Sequence, residues 1–258
     1  MDISDPEIAA LRLLIVLIGP AAGSFAALLA DRLVRGEPVI LVRSHCRACG
    51  VTLRVRDMVP LFSALWLRGR CAACGKRFPV LLSQAEVVGL VLGLAVAILV
   101  PDPLVMVLGA LLLWCLLAIA LSDLQHFRLP WALLIALLAL AFAIAVLEPD
   151  GILAERLIWS GAGAAVGTGT FWLLRLLYSW RTGREGLGMG DVALMAGIGA
   201  AVGPLAIPWV TLLAGVAALT LSVLRAHRHG RRLRRTGRVP FGAALAIGAA
   251  VMWLAGWL

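Results

Sequence analysis

Two aspartates, Asp123 and Asp191, stand beside long apolar runs in this sequence. A charged side chain inside a bilayer costs on the order of 3 kcal/mol even on lenient insertion scales, so acids in such positions are functional candidates. Two carboxyls a few ångströms apart cannot both ionise and therefore share one proton. Such a pair can activate a water molecule as nucleophile and protonate the leaving amine, which is the chemistry of an aspartic protease.

The approach to the second acid is rich in glycine, because residues 186–191 read Gly-Leu-Gly-Met-Gly-Asp. Glycine lets the backbone come close to another chain, as a site that holds an extended peptide requires. We therefore predict that Gly188 and Gly190 contact a substrate. The alternative is a glycine-rich helix start with Asp191 as its N-cap. Beside the first acid, His126 either contacts Asp123 or is an interfacial histidine without a catalytic role.

Four cysteines form two Cys-x-x-Cys pairs, Cys46 with Cys49 and Cys71 with Cys74. Each pair presents two thiolates on one tight turn, and two pairs supply the tetrahedral shell of a structural zinc site. The alternatives are two disulfides, which a cytoplasmic location disfavours, or an iron–sulfur cluster. A segment this short has too small a core to be stable alone, so we expect zinc to act in folding. His45 is not needed as a ligand.

The composition excludes a soluble domain, because hydrophobic residues make up 62% of the 258 residues. Apolar segments long enough for a bilayer core of about 30 Å predict about eight transmembrane helices. They fall near residues 10–30, 80–100, 103–122, 129–147, 157–178, 190–203, 205–224 and 239–258. Because segment 190–203 is short and glycine-rich, seven helices with a re-entrant piece remain an alternative.

These segments predict an all-α polytopic membrane protein with three parts. Residues 1–30 hold the first transmembrane helix, residues 31–79 a small cytoplasmic zinc-ribbon-like loop domain, and residues 80–258 a membrane core of about seven helices. The polar segment 31–79 is the only long stretch of the sequence that is polar enough to lie outside the bilayer.

The basic residues predict the orientation of these helices. All of the 23 Lys and Arg residues except Arg12 and Arg156 lie in residues 31–79, near 123–128, in 175–191 or in 225–238. Cytoplasmic connections are enriched in Lys and Arg, so we expect these segments and both aspartates at the cytoplasmic face, with both termini outside. The basic run 225–238 is expected to be a topology signal that contacts membrane lipid, and no nucleic acid is expected as a partner.

Two other functions compete with proteolysis. In a proton- or cation-coupled transporter, Asp123 and Asp191 would be intramembrane carriers, which predicts acids near the middle of the membrane and often an inverted repeat. A zinc-ribbon membrane scaffold without catalysis would tolerate the loss of either aspartate. The sequence holds no Gly-x-Ser-x-Gly and no His-Glu-x-x-His, so other hydrolase nucleophiles have no support.

Motifs in a shared order make nearly the whole chain resemble the type IV prepilin peptidase family. The Gly-x-Gly-Asp element alone would be less specific, since it is similar to that of the presenilin and signal-peptide-peptidase group, which lacks the four-cysteine loop. The matching elements are Gly23-Ser24-Phe25, Asp31-Arg32-Leu33, residues 43–50, residues 67–75, Glu86, Asp123 with Leu129-Pro130, residues 185–191, and Pro240-Phe241-Gly242.

This resemblance implies that Asp123 and Asp191 are the catalytic aspartates, and we place Glu86 with Gly188 and Gly190 in substrate binding. It implies cleavage of a prepilin or pseudopilin leader after a glycine, at the cytoplasmic face of the bacterial inner membrane. It also implies that the new N-terminal amine, usually of phenylalanine, is methylated from S-adenosylmethionine. In the family the cysteine loop is associated with this second activity.

Three positions depart from the family pattern. Trp131 stands where Asp or Asn is usual after Leu-Pro, Ala193 replaces a common Lys, and Ala243 replaces a common Pro. None of them removes a catalytic aspartate, so they bear on substrate fit and on the surroundings of the two acids.

Overall fold

The computed structural model describes residues 6–40, 42–62, 66–228 and 239–257. Residues 229–238, most of the basic run, lie outside this part of the chain. Within it each of the eight predicted segments is helical, and the loop between the first two of these helices contains a short 3-10 turn and two isolated β-bridges. The helices are α1 (Pro6–Arg35), α2 (Val80–Leu99), α3 (Pro103–His126), α4 (Trp131–Leu147), α5 (Leu153–Thr182), α6 (Met189–Val202), α7 (Ile207–Arg228) and α8 (Phe241–Ala255).

The chain is a polytopic membrane protein, but its helices differ in length. Helices α1, α2, α3 and α5 are each long and apolar enough to cross a membrane. Helix α6 and the start of α7 pass the same test only together, and they are bent by 118° where they meet. The bend lies at Gly203, whose φ is 77°, and at Pro204, which begins a 3-10 turn. Helices α4 and α8 are shorter apolar helices of 17 and 15 residues.

In two helix pairs, glycine lets the two backbones come into direct contact. A Cβ atom on Gly23 of α1 would collide with the carbonyl group of Ala85 in α2, and Gly163 of α5 and Gly199 of α6 face each other in the same way. Lipid tails are as apolar as the side chains, so helices in a membrane associate through such close packing. The pair α5–α6 thereby becomes a fixed support for the chain segment that joins these two helices.

Helix α3 lies at the centre of the bundle and packs against α1, α2, α4 and α8. Every residue from 116 to 123 is buried, so this part of the helix is covered on all sides. A helix that is apolar all round is a core helix rather than a surface helix. The last turn of this core helix carries Asp123.

Candidate active site and metal loop

The last turn of α3 presents Asp123 in a fixed position. Only 6% of the residue is exposed. The helix is capped by Phe127, which adopts the left-handed conformation with φ 51° and donates its N–H to the Asp123 carbonyl oxygen at 3.0 Å. The Ser122 hydroxyl donates to the carbonyl oxygen of Arg128 at 2.7 Å. These bonds turn the chain sharply after α3 and bring Leu129 back beside the aspartate.

The start of α8 supplies the hydrogen-bond partner of Asp123. The backbone N–H of Ala243 donates to Asp123 Oδ2 at 2.8 Å, and the N–H of Gly242 also points at this carboxyl. The first N–H groups of a helix have no partner within the helix, so they are available to an acid. Proline has no N–H. Ala243 therefore makes a bond that the proline common at this position in the resembled family could not make.

The start of α6 holds Asp191, which is half-buried at the third position of the helix. Its Oδ2 accepts a hydrogen bond from the N–H of Gly188 at 3.3 Å, and its own N–H donates to the Gly188 carbonyl oxygen at 3.1 Å. Gly188 is the N-cap of α6. The alternative in which Asp191 is the N-cap is therefore wrong, although the aspartate does bond the backbone of the cap residue.

Helix α5 holds the glycine-rich approach to Asp191. The Arg175 guanidinium donates to the carbonyl oxygen of Leu187 at 2.5 Å and to Glu185 Oε1 at 2.6 Å. The Tyr178 ring lies directly against Gly186, where a side chain would collide with it. Sequence reasoning missed Arg175, and its only signal was a basic residue near the end of a long apolar helix.

Leu129 lies between the helix ends that carry Asp123 and Asp191. A Cβ atom on Gly190 would lie 3.2 Å from Leu129 Cβ, and one on Gly242 would lie 3.1 Å from Leu129 Cδ1 and Cδ2. The same Gly242 position would lie 3.2 Å from Asp123 Oδ2. Leu129 therefore contacts both the start of α6, which carries Asp191, and the start of α8, which lies against Asp123. The ends of α3, α6 and α8 thus meet at one end of the bundle, with both acids and two glycine contacts in the same place.

The structure separates the three residues predicted to bind substrate. Gly188 and Gly190 lie beside Asp191, as described above. Glu86 is buried in α2 and accepts a hydrogen bond at 2.8 Å from the N–H of Leu61, which has a φ of 62°. Glu86 therefore fastens the polar loop to the membrane helices. His126 Nε2 lies 3.6 Å from Asp31 Oδ1, so the ring faces Asp31.

The four cysteines come together in the loop between α1 and α2. Their Sγ atoms all lie within 4.8 Å of one another, and Cys46 Sγ lies 3.9 Å from Cys74 Sγ. A tetrahedral zinc with bonds of about 2.3 Å separates its sulfur ligands by about 3.8 Å, so the cluster fits this ion. Backbone N–H groups of Ala48 and Cys49 lower the pKa of Cys46 to about 6, which favours the thiolate that binds metals. His45 lies outside the cluster, with Nδ1 3.3 Å from the Arg43 carbonyl oxygen.

Comparisons with known proteins show the family of this chain. Residues 17–100 match the model of the bacterial peptidase A24 N-terminal domain, and residues 110–223 match that of the type IV leader peptidase family. A type 4 prepilin-like proteins leader peptide-processing enzyme of Escherichia coli O78:H11 is 33% identical over 81% of this chain and 74% of its own length. A prepilin leader peptidase/N-methyltransferase of Aeromonas hydrophila is 32% identical over 85% of this chain and 71% of its own, and one of Dichelobacter nodosus 30% identical over the same shares. No solved structure matches the chain.

Proposed function

This chain belongs to the type IV leader peptidase family, and on that premise we propose that Asp123 and Asp191 are the catalytic pair of a membrane aspartyl endopeptidase. Its substrates are prepilins or pseudopilins, from which it removes the leader peptide. The observation that carries the proposal is the meeting of three helix ends around Leu129, with the N–H of Ala243 bonded to Asp123 at 2.8 Å. The transporter alternative places its acids near mid-membrane, whereas these lie at helix ends, and the comparisons give it no support.

The reaction needs one ionised and one protonated carboxyl at the same time. The ionised carboxyl takes a proton from a water molecule, whose oxygen attacks the carbonyl carbon of the scissile bond. The protonated carboxyl donates to the carbonyl oxygen, and the collapse of the tetrahedral intermediate passes a proton to the leaving amine. Glycine at positions 188, 190 and 242 lets Leu129 and the two aspartates lie close to the backbone of the helix starts.

A second activity follows in the same protein, namely methylation of the new N-terminal amine. The relatives from Aeromonas hydrophila and Dichelobacter nodosus bear the name N-methyltransferase, and S-adenosylmethionine is the methyl donor that this activity consumes. The four-cysteine cluster binds one structural zinc ion, because its sulfur spacing suits that ion. In this proposal the zinc is structural and holds the loop together.

The protein lies in the bacterial inner membrane with its active site at the cytoplasmic face. The support is the distribution of Lys and Arg, which are concentrated in the connections that follow α1, α5 and α7 and in the short turn after α3. The same face holds the four-cysteine loop and both aspartates. A prepilin that enters the membrane from the cytoplasm would meet the site with its leader still on the cytoplasmic side.

The decisive experiment is to incubate purified protein with candidate prepilins and to measure the intact mass of the products. We expect Asp123→Asn and Asp191→Asn each to lower leader removal by at least about 10²–10⁴-fold, since an amide can neither take up nor donate the shared proton. Asp150→Asn, at an exposed carboxyl between α4 and α5, is the matched control and should cleave normally. Cleavage by either catalytic variant within about tenfold of wild type would refute the aspartyl mechanism.

The same variants separate the two activities. Supplied with a mature pilin that already has its free N-terminal amine, both asparagine variants should still add a methyl group. Loss of methylation in both would mean that the two reactions share one site.

A further inference from the structure

Asp31 lies where the metal loop meets the membrane helices. It is part of α1, because this helix continues to Arg35, beyond the end near residue 30 that the apolar pattern predicts. Its Oδ1 accepts from Arg35 Nε at 2.7 Å, and its Oδ2 accepts from the guanidinium of Arg47. The side chain of Asp31 is 26% exposed, whereas those of Arg35 and Arg47 are 50% and 47% exposed, so water reaches these ion pairs mainly from the arginine side.

Arg47 is part of the first cysteine pair, between Cys46 and Cys49. Besides Asp31, its guanidinium donates to both carboxylate oxygens of Glu37, each at 2.8 Å. A fork of this kind fixes the direction of the side chain as well as its distance. The first cysteine pair is therefore tied to the end of α1 by a charged contact that depends on the position of the metal-binding turn.

Arg32 makes the link between α1 and this turn rigid. Its side chain is buried and donates to the carbonyl oxygens of Pro38, Val39 and Val42 at 3.1, 2.9 and 2.7 Å. The chain that leads from α1 to the first cysteine pair is thus wrapped around one guanidinium. If the first cysteine pair moved, the end of α1 would therefore move with it.

On its other side Asp31 faces His126, the last residue of α3. His126 Nε2 lies 3.6 Å from Asp31 Oδ1, and this nitrogen is buried without a hydrogen-bond partner among the described residues. A buried polar atom without a partner is unfavourable, so a small approach of the Asp31 carboxylate would be stabilising. His126 shares the final turn of α3 with Asp123, and its position affects the turn that presents that acid.

We propose that Asp31 is a positioning residue that couples the four-cysteine loop to Asp123, through Arg47 on one side and His126 on the other. This rests on the proposed peptidase function and adds a role for the metal loop in it. When the loop is held in place by its metal, Arg47 holds the Asp31 carboxylate against His126 and so stabilises the last turn of α3. When the loop opens, the turn loses this support and Asp123 leaves its position at the start of α8.

Kinetics of leader removal test the coupling. We expect Asp31→Asn and His126→Gln each to lower kcat by about two- to thirtyfold, the usual range for residues along a coupling network, with KM unchanged because neither touches the substrate. The double variant should be no worse than the more severe single variant, because both remove the same contact. Asp57→Asn is the control, since this acid pairs with Arg56 in the same loop, at 3.8 Å. Its kcat should equal that of wild type.

If Asp31→Asn fails to fold, Arg47→Lys takes its place in the double variant with His126→Gln. Lysine keeps the positive charge of Arg47 but cannot form the two parallel hydrogen bonds of a guanidinium. A readout independent of catalysis is the rate at which purified, zinc-loaded protein gives up zinc to a chromogenic chelator. Coupling free energies between two sites are reciprocal, although the effects on rates need not be equal, so His126→Gln should release zinc faster than wild type although it is not a ligand. The inference is overturned if the loss of kcat in the double variant equals the product of the losses in its two single variants. It is also overturned if His126→Gln releases zinc at the wild-type rate. Wild-type protein that cleaves no prepilin would instead refute the proposed function itself.

Discussion

The contact between Gly242 and Asp123 gives a sharp test of how the site is built. In the substitution Gly242→Ala, the new Cβ atom would lie 3.2 Å from Asp123 Oδ2 and 3.1 Å from both terminal carbons of Leu129. Ordinary contacts are a few tenths of an ångström longer. Leu129 cannot simply retreat, because its other side already packs against Gly190. We therefore expect the carboxyl of Asp123 to move by a few tenths of an ångström while the helix itself is retained.

The size of the effect follows from the geometry. A misplacement of about 1 Å can lower the rate by about 100-fold. If the logarithm of the rate falls in proportion to the displacement, a shift of a few tenths of an ångström lowers the rate by about three- to tenfold. Alanine also stabilises a helix relative to glycine by about 0.5–1 kcal/mol, which offsets part of the strain. We expect kcat for leader removal, measured by intact mass, to fall by about three- to tenfold. The melting temperature should change little.

Gly215→Ala in α7 is the matched control, because a Cβ atom there meets no atom within 4 Å. It should leave kcat unchanged. If Gly242→Ala folds and its kcat stays within about twofold of wild type, the position of Asp123 is not set by the start of α8 and the argument from contact distances fails.

Three further predictions concern the supports of the site. Arg175→Gln should lower kcat by about tenfold, because it loses a charged hydrogen bond of about 1.5 kcal/mol to the Leu187 carbonyl oxygen in the segment before Asp191. A kcat equal to that of wild type would show that Arg175 does not position this segment. Gly163→Ala should unfold or severely destabilise the protein in a detergent melting assay, since its Cβ would strike the backbone of α6, and a normal melting curve would contradict the α5–α6 packing. Metal analysis should find one zinc per chain, and Cys71→Ser should lose it; less than half an equivalent in wild type would exclude the zinc site.

Reporter fusions test the orientation. A reporter placed after Gly183 should give a cytoplasmic signal and one after Gly151 an external signal, since the first lies among basic residues and the second among acidic ones. The reverse pattern would overturn the proposed topology.

The sequence by itself determined the helices and the metal loop, because both depend on local information. Apolar length decides whether a segment enters a bilayer, and every predicted segment became a helix within a few residues of its expected bounds. The spacing of the four cysteines likewise predicted a cluster that the structure confirms. Even the placement of the two acids at helix ends could be taken from the neighbouring residues.

Only the tertiary structure decided what these acids contact. Asp123 takes its hydrogen bond from Ala243, 120 positions along the chain, and His126 faces Asp31. The role of Arg175 in holding the approach to Asp191 was also unpredicted. The physical reason is that a helix apolar on all sides, such as the buried part of α3, has no polar face to indicate which side meets which neighbour. That choice depends on where small residues allow two backbones to approach, which is a property of pairs of helices and not of any one segment.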